Sequence, residues 1–206
     1  MILKSKNCFN SNINFGKTLV ATCQIKSKTN ETLNCNIFEL NEKDDCDYFD
    51  RELKKVEWES SKYMKAMHQI MNSPFLAKSA RTYTLENSNG DCLGYIATLI
   101  LNTARNKENI QYLEVCPSFA FANGERSLKY IGQSLVSFLI AQAQREGKSK
   151  VCVPVYSTSA KDFYYKKCGF EYDDEREDGF AIERENFDKA LDNLKNKIGS
   201  EINFVL

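Results

Sequence analysis

Apolar and polar residues alternate along much of the chain, and this pattern predicts many strands separated by a few helices. Strands are predicted at 17–27, 33–41, 80–86, 92–101, 109–117 and 150–156, with two short strands after Gly169 and a last one at 202–206. Helical spacing of apolar residues appears over 44–72, 132–146 and about 185–198, and one more helix begins near Ser159 and ends at Gly169. The order of elements therefore predicts a central sheet flanked by helices.

The strands at 109–117 and 150–156 are separated by a segment that contains a helix. Such a connection is too long for a hairpin and is typical of a parallel crossover. The strands at 80–86 and 92–101 are joined by a short polar turn, which is typical of an antiparallel hairpin. We therefore predict an α/β fold with a mixed central sheet.

The length of 206 residues suits a single domain over 1–206, with an N-terminal extension and strand in 1–30 and a C-terminal appendage in 185–206. The formal net charge is zero, with 28 basic and 28 acidic residues, which argues against broad binding to nucleic acids or anionic membranes. No apolar stretch approaches the ~20 residues of a membrane span. The N-terminus lacks the apolar core of a secretory signal, so a cytoplasmic location is expected.

Cysteine and histidine usage does not favour a metal site. The eight cysteines are scattered without a Cys-x-x-Cys motif, and His68 is the single histidine. Structural zinc sites need clustered ligands, so no metal is expected. Nucleophilic catalysis by a serine or cysteine would have to use that one histidine, which makes such an enzyme a poor fit to the sequence.

Two features in the second half of the chain favour a ligand site. Gly132 opens a helix, and the first turn of a helix presents unpaired N–H groups that bind anions such as phosphate. Pro154 lies in a strand that should be central, although proline cannot donate to a β-ladder. The conflict disappears if this strand diverges from its neighbour and leaves a wedge, which would suit a ligand with a pyrophosphate and an amide-bearing arm. The alternative is that Gly132 only forms a turn and binds no ligand.

Three sequence segments resemble motifs of the GNAT superfamily of acyl-CoA-dependent N-acyltransferases. The segment YLEVCP resembles the fourth strand of that family with its Val-x-Pro ending, and KYIGQSL resembles the end of the Arg/Gln-x-x-Gly-x-Gly/Ala pyrophosphate loop. The segment STSAKDFYYKKCGFE resembles the fourth helix with its Tyr-x-x-x-Gly-Phe signature. The loop departs from the pattern, because Tyr130 replaces a glycine and Ser127 stands where Arg or Gln is usual.

The resemblance implies a GNAT-like sheet with splayed parallel strands and acetyl-CoA as the co-substrate. It also implies that the backbone around the helix start holds the pyrophosphate and that the backbone near Val115 pairs with the pantetheine arm. The predicted cofactor-binding residues are Val115, Lys129, Tyr130, Ile131, Gly132, Gln133, Ser134 and Ser157.

Two catalytic roles follow from the resemblance. The general-acid tyrosine is Tyr165 when counted back from Gly169 and Tyr164 when counted forward from Ala160; we expect Tyr165, and the alternative is that both tyrosines only pack. Glu114 is the carboxylate best placed to remove a proton from the acceptor amine, and the alternative is an ordinary strand glutamate in solvent.

The resemblance implies that the acceptor lies between the first two helices and the loop joining the last two strands. Two acidic runs, 42–52 and 171–178, fall in these segments, so we expect the acceptor to be a cationic amine. Asp173, Asp174 and Glu175 are the predicted acceptor-binding residues, although such runs are often solvated surface. The sequence therefore predicts an N-acetyltransferase that acts on a polyamine, a lysine side chain or a basic peptide. The alternatives are a CoA-binding or regulatory module without turnover, and an acyltransferase toxin acting on aminoacyl-tRNA, for which the composition offers no basic surface.

Overall fold

The computed structural model describes residues 17–40, 47, 48, 50–52, 55, 58, 61, 79–99, 106–121, 127–155, 157–175 and 179–205. The strands are β1 (Lys17–Ser27), β2 (Thr32–Leu40), β3 (Ala80–Asn87), β4 (Cys92–Leu99), β5 (Lys107–Val115), β6 (Leu128–Lys129), β7 (Lys150–Pro154), β8 (Glu171–Tyr172), β9 (Gly179–Glu183) and β10 (Asn203–Phe204). The helices are α1 (Pro117–Phe121), α2 (Ile131–Arg145), α3 (Thr158–Asp162), which continues as a π-helical turn (Phe163–Cys168), and α4 (Phe187–Ile198), which follows a 3₁₀ turn (Arg184–Asn186).

The described strands form one sheet of ten strands in the order β10-β1-β2-β3-β4-β5-β7-β9-β8, with β6 paired to β1. The β5–β7 pair is parallel, and the other strand pairs among the described residues are antiparallel. The crossover from β5 to β7 contains α2. The predicted mixed α/β sheet is therefore confirmed.

The parallel strands β5 and β7 separate part of the way along their length. They are paired only from Lys107–Lys150 to Asn109–Cys152, whereas β5 continues to Val115. Strand β7 stays paired with β9 on its other side as far as Pro154. The divergence predicted from the proline in this strand is thus confirmed, and it leaves a wedge at the carboxyl ends of the two strands.

Helices α2 and α4 cover one face of the sheet and enclose the main core. Helix α2 buries an apolar stripe made of Leu135, Val136, Phe138, Leu139 and Ile140. Helix α4 contributes Phe187, Ala190, Leu194 and Ile198 to the same cluster. The segment predicted as a C-terminal appendage therefore packs into the core, and β10 extends the sheet at β1.

A second apolar cluster lies on the opposite face of the sheet. Its buried residues are Leu40, Tyr48, Trp58, Cys92, Tyr95, Ala97 and Cys116. Residues 47, 48 and 50–52 are helical, in agreement with the helical pattern there, while most of the predicted region 44–72 lies outside the described residues. One apolar cluster, which includes α2 and α4, thus covers one face of the sheet, and this second cluster covers the other face.

Candidate active site

A cleft of about 770 Å³ opens where β5 and β7 diverge. Strand β5 forms one wall with residues 112–115, and Val153 and Pro154 of β7 form the other. The start of α2 and the segment from Ser157 to the π-helical turn close the remaining sides. Main-chain groups of the splayed strands, a helix start and several side chains therefore meet in one cavity.

The start of α2 supplies an anion-binding backbone to this cleft. Tyr130 precedes the helix with φ 71° and ψ 10°, and its side chain makes no capping hydrogen bond. The N–H groups of the first turn have no partner within the helix and carry the positive end of its dipole. The left-handed conformation costs a non-glycine residue ~1–2 kcal/mol. Tyr130 thus holds a backbone conformation that favours glycine, the residue of the loop pattern that it replaces.

Gly132 allows a close approach to the first turn of α2. A Cβ atom at this position would lie 3.1 Å from Cζ of Phe163 and 3.6 Å from Cγ2 of Val115. The absence of a side chain at Gly132 thus makes room for the Phe163 ring. Phe163 therefore packs on the helix start and also lines the cleft.

Six of the eight predicted cofactor-binding residues line the cleft: Val115, Tyr130, Ile131, Gly132, Gln133 and Ser157. Two do not line it. The Lys129 ammonium donates to Oδ1 of Asn30 at 3.0 Å. Ser134 is fully buried, and its N–H donates to the Tyr130 carbonyl at 2.8 Å, so that N–H is not available to a ligand. The structure thus places these two residues outside the set that lines the cleft.

The structure places the two candidate tyrosines differently. Tyr164 is buried and lines the cleft. Tyr165, the general acid expected from the sequence, is 52% exposed and lies outside the cleft, with its ring centroid 6.3 Å from those of Tyr172 and Phe180. The geometry therefore favours Tyr164 over Tyr165 as the candidate general acid.

The π-helical turn explains why the two residue counts differed. In this turn the N–H of Gly169 bonds to the carbonyl of Tyr164, five residues earlier, where an α-helix would use a residue four earlier. The turn thus holds one residue more than an α-helical turn. Counting forward from Ala160 to the tyrosine does not cross the extra residue and selects Tyr164. Counting back from Gly169 does cross it, so that count is displaced by one residue and selects Tyr165.

Tyr164 is suited to donate a proton. Burial raises its pKa well above the ordinary value, and Cys168 raises it further, so the phenol stays protonated at neutral pH. Its ring makes edge contacts with Phe163 at 5.1 Å and Phe170 at 5.2 Å, which hold it in place. A fixed, neutral phenol in the wall of a cleft is a general-acid candidate.

Glu114 lies in the wall formed by β5 and belongs to the sheet face opposite α2. Its Oε2 atom accepts hydrogen bonds from Ser61 Oγ at 2.8 Å and from Tyr95 OH at 3.1 Å. Sequence reasoning missed both partners, because Ser61 is 53 residues away and Tyr95 is aligned with Glu114 only by the register of β4 and β5. The carboxylate is thus oriented by the protein, unlike an ordinary strand glutamate in solvent.

The predicted acceptor-binding carboxylates do not line the cleft. Asp173 is buried and accepts from the Lys150 ammonium at 3.1 Å, and exposed Glu175 is ion-paired with Lys107. Asp174 is exposed beside them. The charges of Asp173 and Glu175 are therefore compensated by lysines within the protein, which weakens the case for this turn as a surface that concentrates cations. Glu42, Asp44, Asp45, Glu177 and Asp178, from the same two acidic runs, lie outside the described residues.

The Asp173–Lys150 pair makes stability depend on pH. Burial, the largest single effect, raises the pKa of Asp173, but the hydrogen bonds from Lys150 and from the Glu175 N–H, together with the charges of Lys150 and Lys107, outweigh it, and the net shift is downward from 3.8. The contribution of the ionised Asp173 to the free energy of unfolding is complete above the unfolded-state pKa of Asp173. It is lost as the pH falls through the lower folded-state pKa. We expect Asp173→Asn to lower the free energy of unfolding by about 1–3 kcal/mol at pH 7, and the loss to vanish at strongly acidic pH.

Urea unfolding of the parent and the variant from pH 7 downward measures this difference. Asp174→Asn, which removes an exposed neighbouring carboxylate, is the matched control and should leave stability unchanged. If Asp173→Asn lowers the free energy of unfolding by the same amount at every pH, the ion pair with Lys150 is not the cause of the loss.

The described residues contain no group of three or more His, Cys, Asp or Glu side chains that could hold a metal ion. The described cysteines are buried free thiols: Cys23, Cys35, Cys92, Cys116, Cys152 and Cys168. His68 lies outside the described residues. Within the described part of the chain, no helix is both long and apolar enough to cross a bilayer.

Comparison with known proteins gives structural neighbours only. No protein-family model and no curated protein matches the sequence. A GNAT-family protein from Desulfovibrio desulfuricans superposes with a TM-score of 0.53 at 10% identity, over 73% of this chain and 99% of that one. A GNAT-family protein from Chromobacterium violaceum gives a TM-score of 0.52 at 14% identity, over 75% and 85% of the two chains.

A third neighbour is the spermidine N-acetyltransferase of Vibrio cholerae in complex with CoA and spermine. Its TM-score is 0.50 at 13% identity, and the match covers 74% of this chain and 97% of that one. Identities this low carry information on the fold alone. The splayed parallel strands, the uncapped helix start and these superpositions together show that this chain has the fold of the GNAT acyl-CoA N-acyltransferases.

Proposed function

We propose that this protein is an N-acetyltransferase that transfers an acetyl group from acetyl-CoA to the primary amine of a cationic acceptor by direct attack. The observation that carries the proposal is the cleft between β5 and β7, where an uncapped helix start, an oriented carboxylate and a buried phenol meet. Each of these groups matches one requirement of the reaction.

Acetyl-CoA binding is supported by the shape and polarity of the cleft. The N–H groups at the start of α2, around Ile131 and Gly132, would hold the pyrophosphate. The ladder between β5 and β7 ends at the Asn109–Cys152 pair, and the strands diverge from there, so the backbone near Val115 faces the cleft where the amides of the pantetheine arm would lie. The volume of about 770 Å³ is within the range of sites for small molecules and cofactors.

In the chemical step, Glu114 takes up one proton and Tyr164 gives up another. Glu114 accepts a proton from the acceptor ammonium, which frees the nitrogen lone pair to attack the thioester carbonyl. The C–N bond forms and the C–S bond breaks. Tyr164 donates its phenolic proton to the departing thiolate, and the second proton of the attacking nitrogen returns to the tyrosinate through water. Glu114 releases its proton to solvent, so the products are the acetylated amine, CoA with a free thiol and one proton.

A cationic acceptor is supported by the oriented carboxylate of Glu114, which lines the cleft. Glu52 and Glu86 are buried on the same sheet face, but they are outside the residues that line the cleft and already pair with Lys55 and Lys17. Glu52 belongs to the acidic run predicted as one wall of the acceptor site. The Vibrio cholerae neighbour, whose complex contains spermine, is consistent with an amine acceptor.

A CoA-binding module without turnover is the second candidate, and the departure from the loop pattern at Tyr130 favours it. Two measurements separate the candidates. A thermal shift with acetyl-CoA tests cofactor binding, and thiol release from acetyl-CoA with spermine, a monoamine or a lysine-containing basic peptide tests turnover. Binding without thiol release from any acceptor would favour the module, and absence of binding would contradict both candidates.

Gly132→Asp is expected to abolish the stabilisation of the protein by acetyl-CoA. The new carboxylate would place negative charge at the helix start, where the pyrophosphate should bind, and its Cβ would press on Phe163. An acidic residue in the first turn favours the helix itself, so the variant should still fold. Thermal shift with and without acetyl-CoA measures the effect.

Gly132→Ala is the matched control, because it adds the same Cβ without the charge. It should weaken acetyl-CoA binding much less than the aspartate does. A folded Gly132→Asp protein that still binds acetyl-CoA as the parent does would exclude this turn as the pyrophosphate site.

A further inference from the structure

The partners of Glu114 form a small buried assembly on the sheet face opposite α2. Tyr95 lies directly across from Glu114 in the register of β4 and β5. Its ring centroid is 5.9 Å from that of Trp58, whose carbonyl accepts the N–H of Ser61 at 2.9 Å. Tyr95, Trp58 and Ser61 are all buried. The two hydroxyl groups that reach Glu114 are thus held by packing and by main-chain hydrogen bonds.

Both hydroxyl groups donate to the same carboxylate oxygen, Oε2 of Glu114. Two donors on one oxygen fix the rotation of the carboxylate plane and favour its ionised form, which is the form that accepts a proton. Burial raises the pKa of Tyr95 and the charge of Glu114 raises it further, so its phenol stays a donor rather than a competing base.

We infer that Tyr95 and Ser61 are positioning residues that orient Glu114 and keep it ionised for proton removal from the acceptor amine. This inference rests on the proposed function, since it assigns a role relative to Glu114. Both residues act through the carboxylate of Glu114 and not through contact with the reacting atoms.

Tyr95→Phe removes the hydroxyl and keeps the ring that packs on Trp58. We expect kcat with acetyl-CoA and spermine to fall about 10- to 100-fold, the usual effect of losing a hydrogen bond to a charged group. The acidic limb of the plot of kcat against pH should move to higher pH, because the carboxylate protonates more easily without this donor. The Kd of acetyl-CoA should not change.

Tyr83→Phe is the matched control. Tyr83 is a buried tyrosine on the neighbouring strand β3, but its ring packs on Phe138 of α2, on the other face of the sheet. The control should leave both kcat and its pH dependence unchanged. Ser61→Ala removes the second donor and should shift the acidic limb in the same direction, so it tests the inference even where Tyr95→Phe does not fold.

The double variant Tyr95→Phe with Glu114→Gln decides whether the tyrosine acts through the glutamate. If it does, the double variant is no slower than Glu114→Gln alone. If the losses of kcat in the two single variants multiply in the double variant, the positioning role is overturned while Glu114 stays the base. An acidic limb of the pH profile of kcat that does not shift in Tyr95→Phe would have the same consequence. A Glu114→Gln variant with parental kcat would overturn the assigned base and the positioning role together.

Discussion

Tyr164→Phe is expected to reduce the rate of acetyl transfer by about 10²- to 10⁴-fold, which is typical of losing one general acid or base. The phenol lines the cleft, and burial keeps it protonated, so it is available to the leaving thiolate. Phenylalanine keeps the edge contacts with Phe163 and Phe170 and removes only the hydroxyl. The dissociation constant of acetyl-CoA should therefore change little. Steady-state thiol release with acetyl-CoA and spermine measures the rate, and calorimetry measures the binding.

Tyr165→Phe is the adjacent control, with the same chemical change one residue further along the π-helical turn. Because the Tyr165 ring lies against Tyr172 and Phe180 outside the cleft, its hydroxyl should be dispensable. A damaging Tyr165→Phe beside a silent Tyr164→Phe would reverse the assignment and restore the count made from Gly169.

Glu114→Gln is expected to lower turnover at pH 7 by a similar factor, about 10²- to 10⁴-fold. Glutamine has nearly the same shape and retains an oxygen that accepts from Ser61 and Tyr95, but it cannot take the proton of the acceptor ammonium. The deficit should narrow as pH rises, since a larger fraction of the acceptor amine is then already neutral. Rates of thiol release from pH 6 to pH 10 test both the size and the pH dependence of the effect.

Glu171→Gln removes an exposed carboxylate on β8, outside the residues that line the cleft, and serves as the control. It should match the parent at every pH. A Glu114→Gln deficit that is the same at all pH values would indicate a role in holding the acceptor or the fold rather than in proton removal.

Much of the fold could be predicted from local patterns. The alternation of apolar and polar residues predicted the strands, and the length of the segment between β5 and β7 predicted a parallel crossover. Pro154 indicated where the parallel strands must diverge, because a residue without an N–H cannot complete a central ladder. Gly132 indicated a helix start beside that divergence. These properties depend on the chemistry of single residues and on short spacings, which a sequence shows directly.

The tyrosine that serves as the candidate general acid could not be chosen from the sequence in the same way. Hydrogen bonding in the π-helical turn adds one residue between Ala160 and Gly169, and the spacing of residues does not reveal where along the helix that residue is inserted. The choice between Tyr164 and Tyr165 therefore depended on which ring packs under Phe163 and Phe170 and which faces Tyr172.

The roles of the charged residues were also set by contacts between distant segments. The sequence showed an acidic turn, but the structure shows Asp173 and Glu175 neutralised by Lys150 and Lys107 from two other strands. The same holds for Glu114, whose hydrogen-bond partners come from other segments of the chain. Local sequence patterns thus predicted the sheet, the cleft and the helix start, since each follows from backbone geometry. The partners of each ionisable side chain were decided by strand register and packing, which bring together residues that are far apart in the chain.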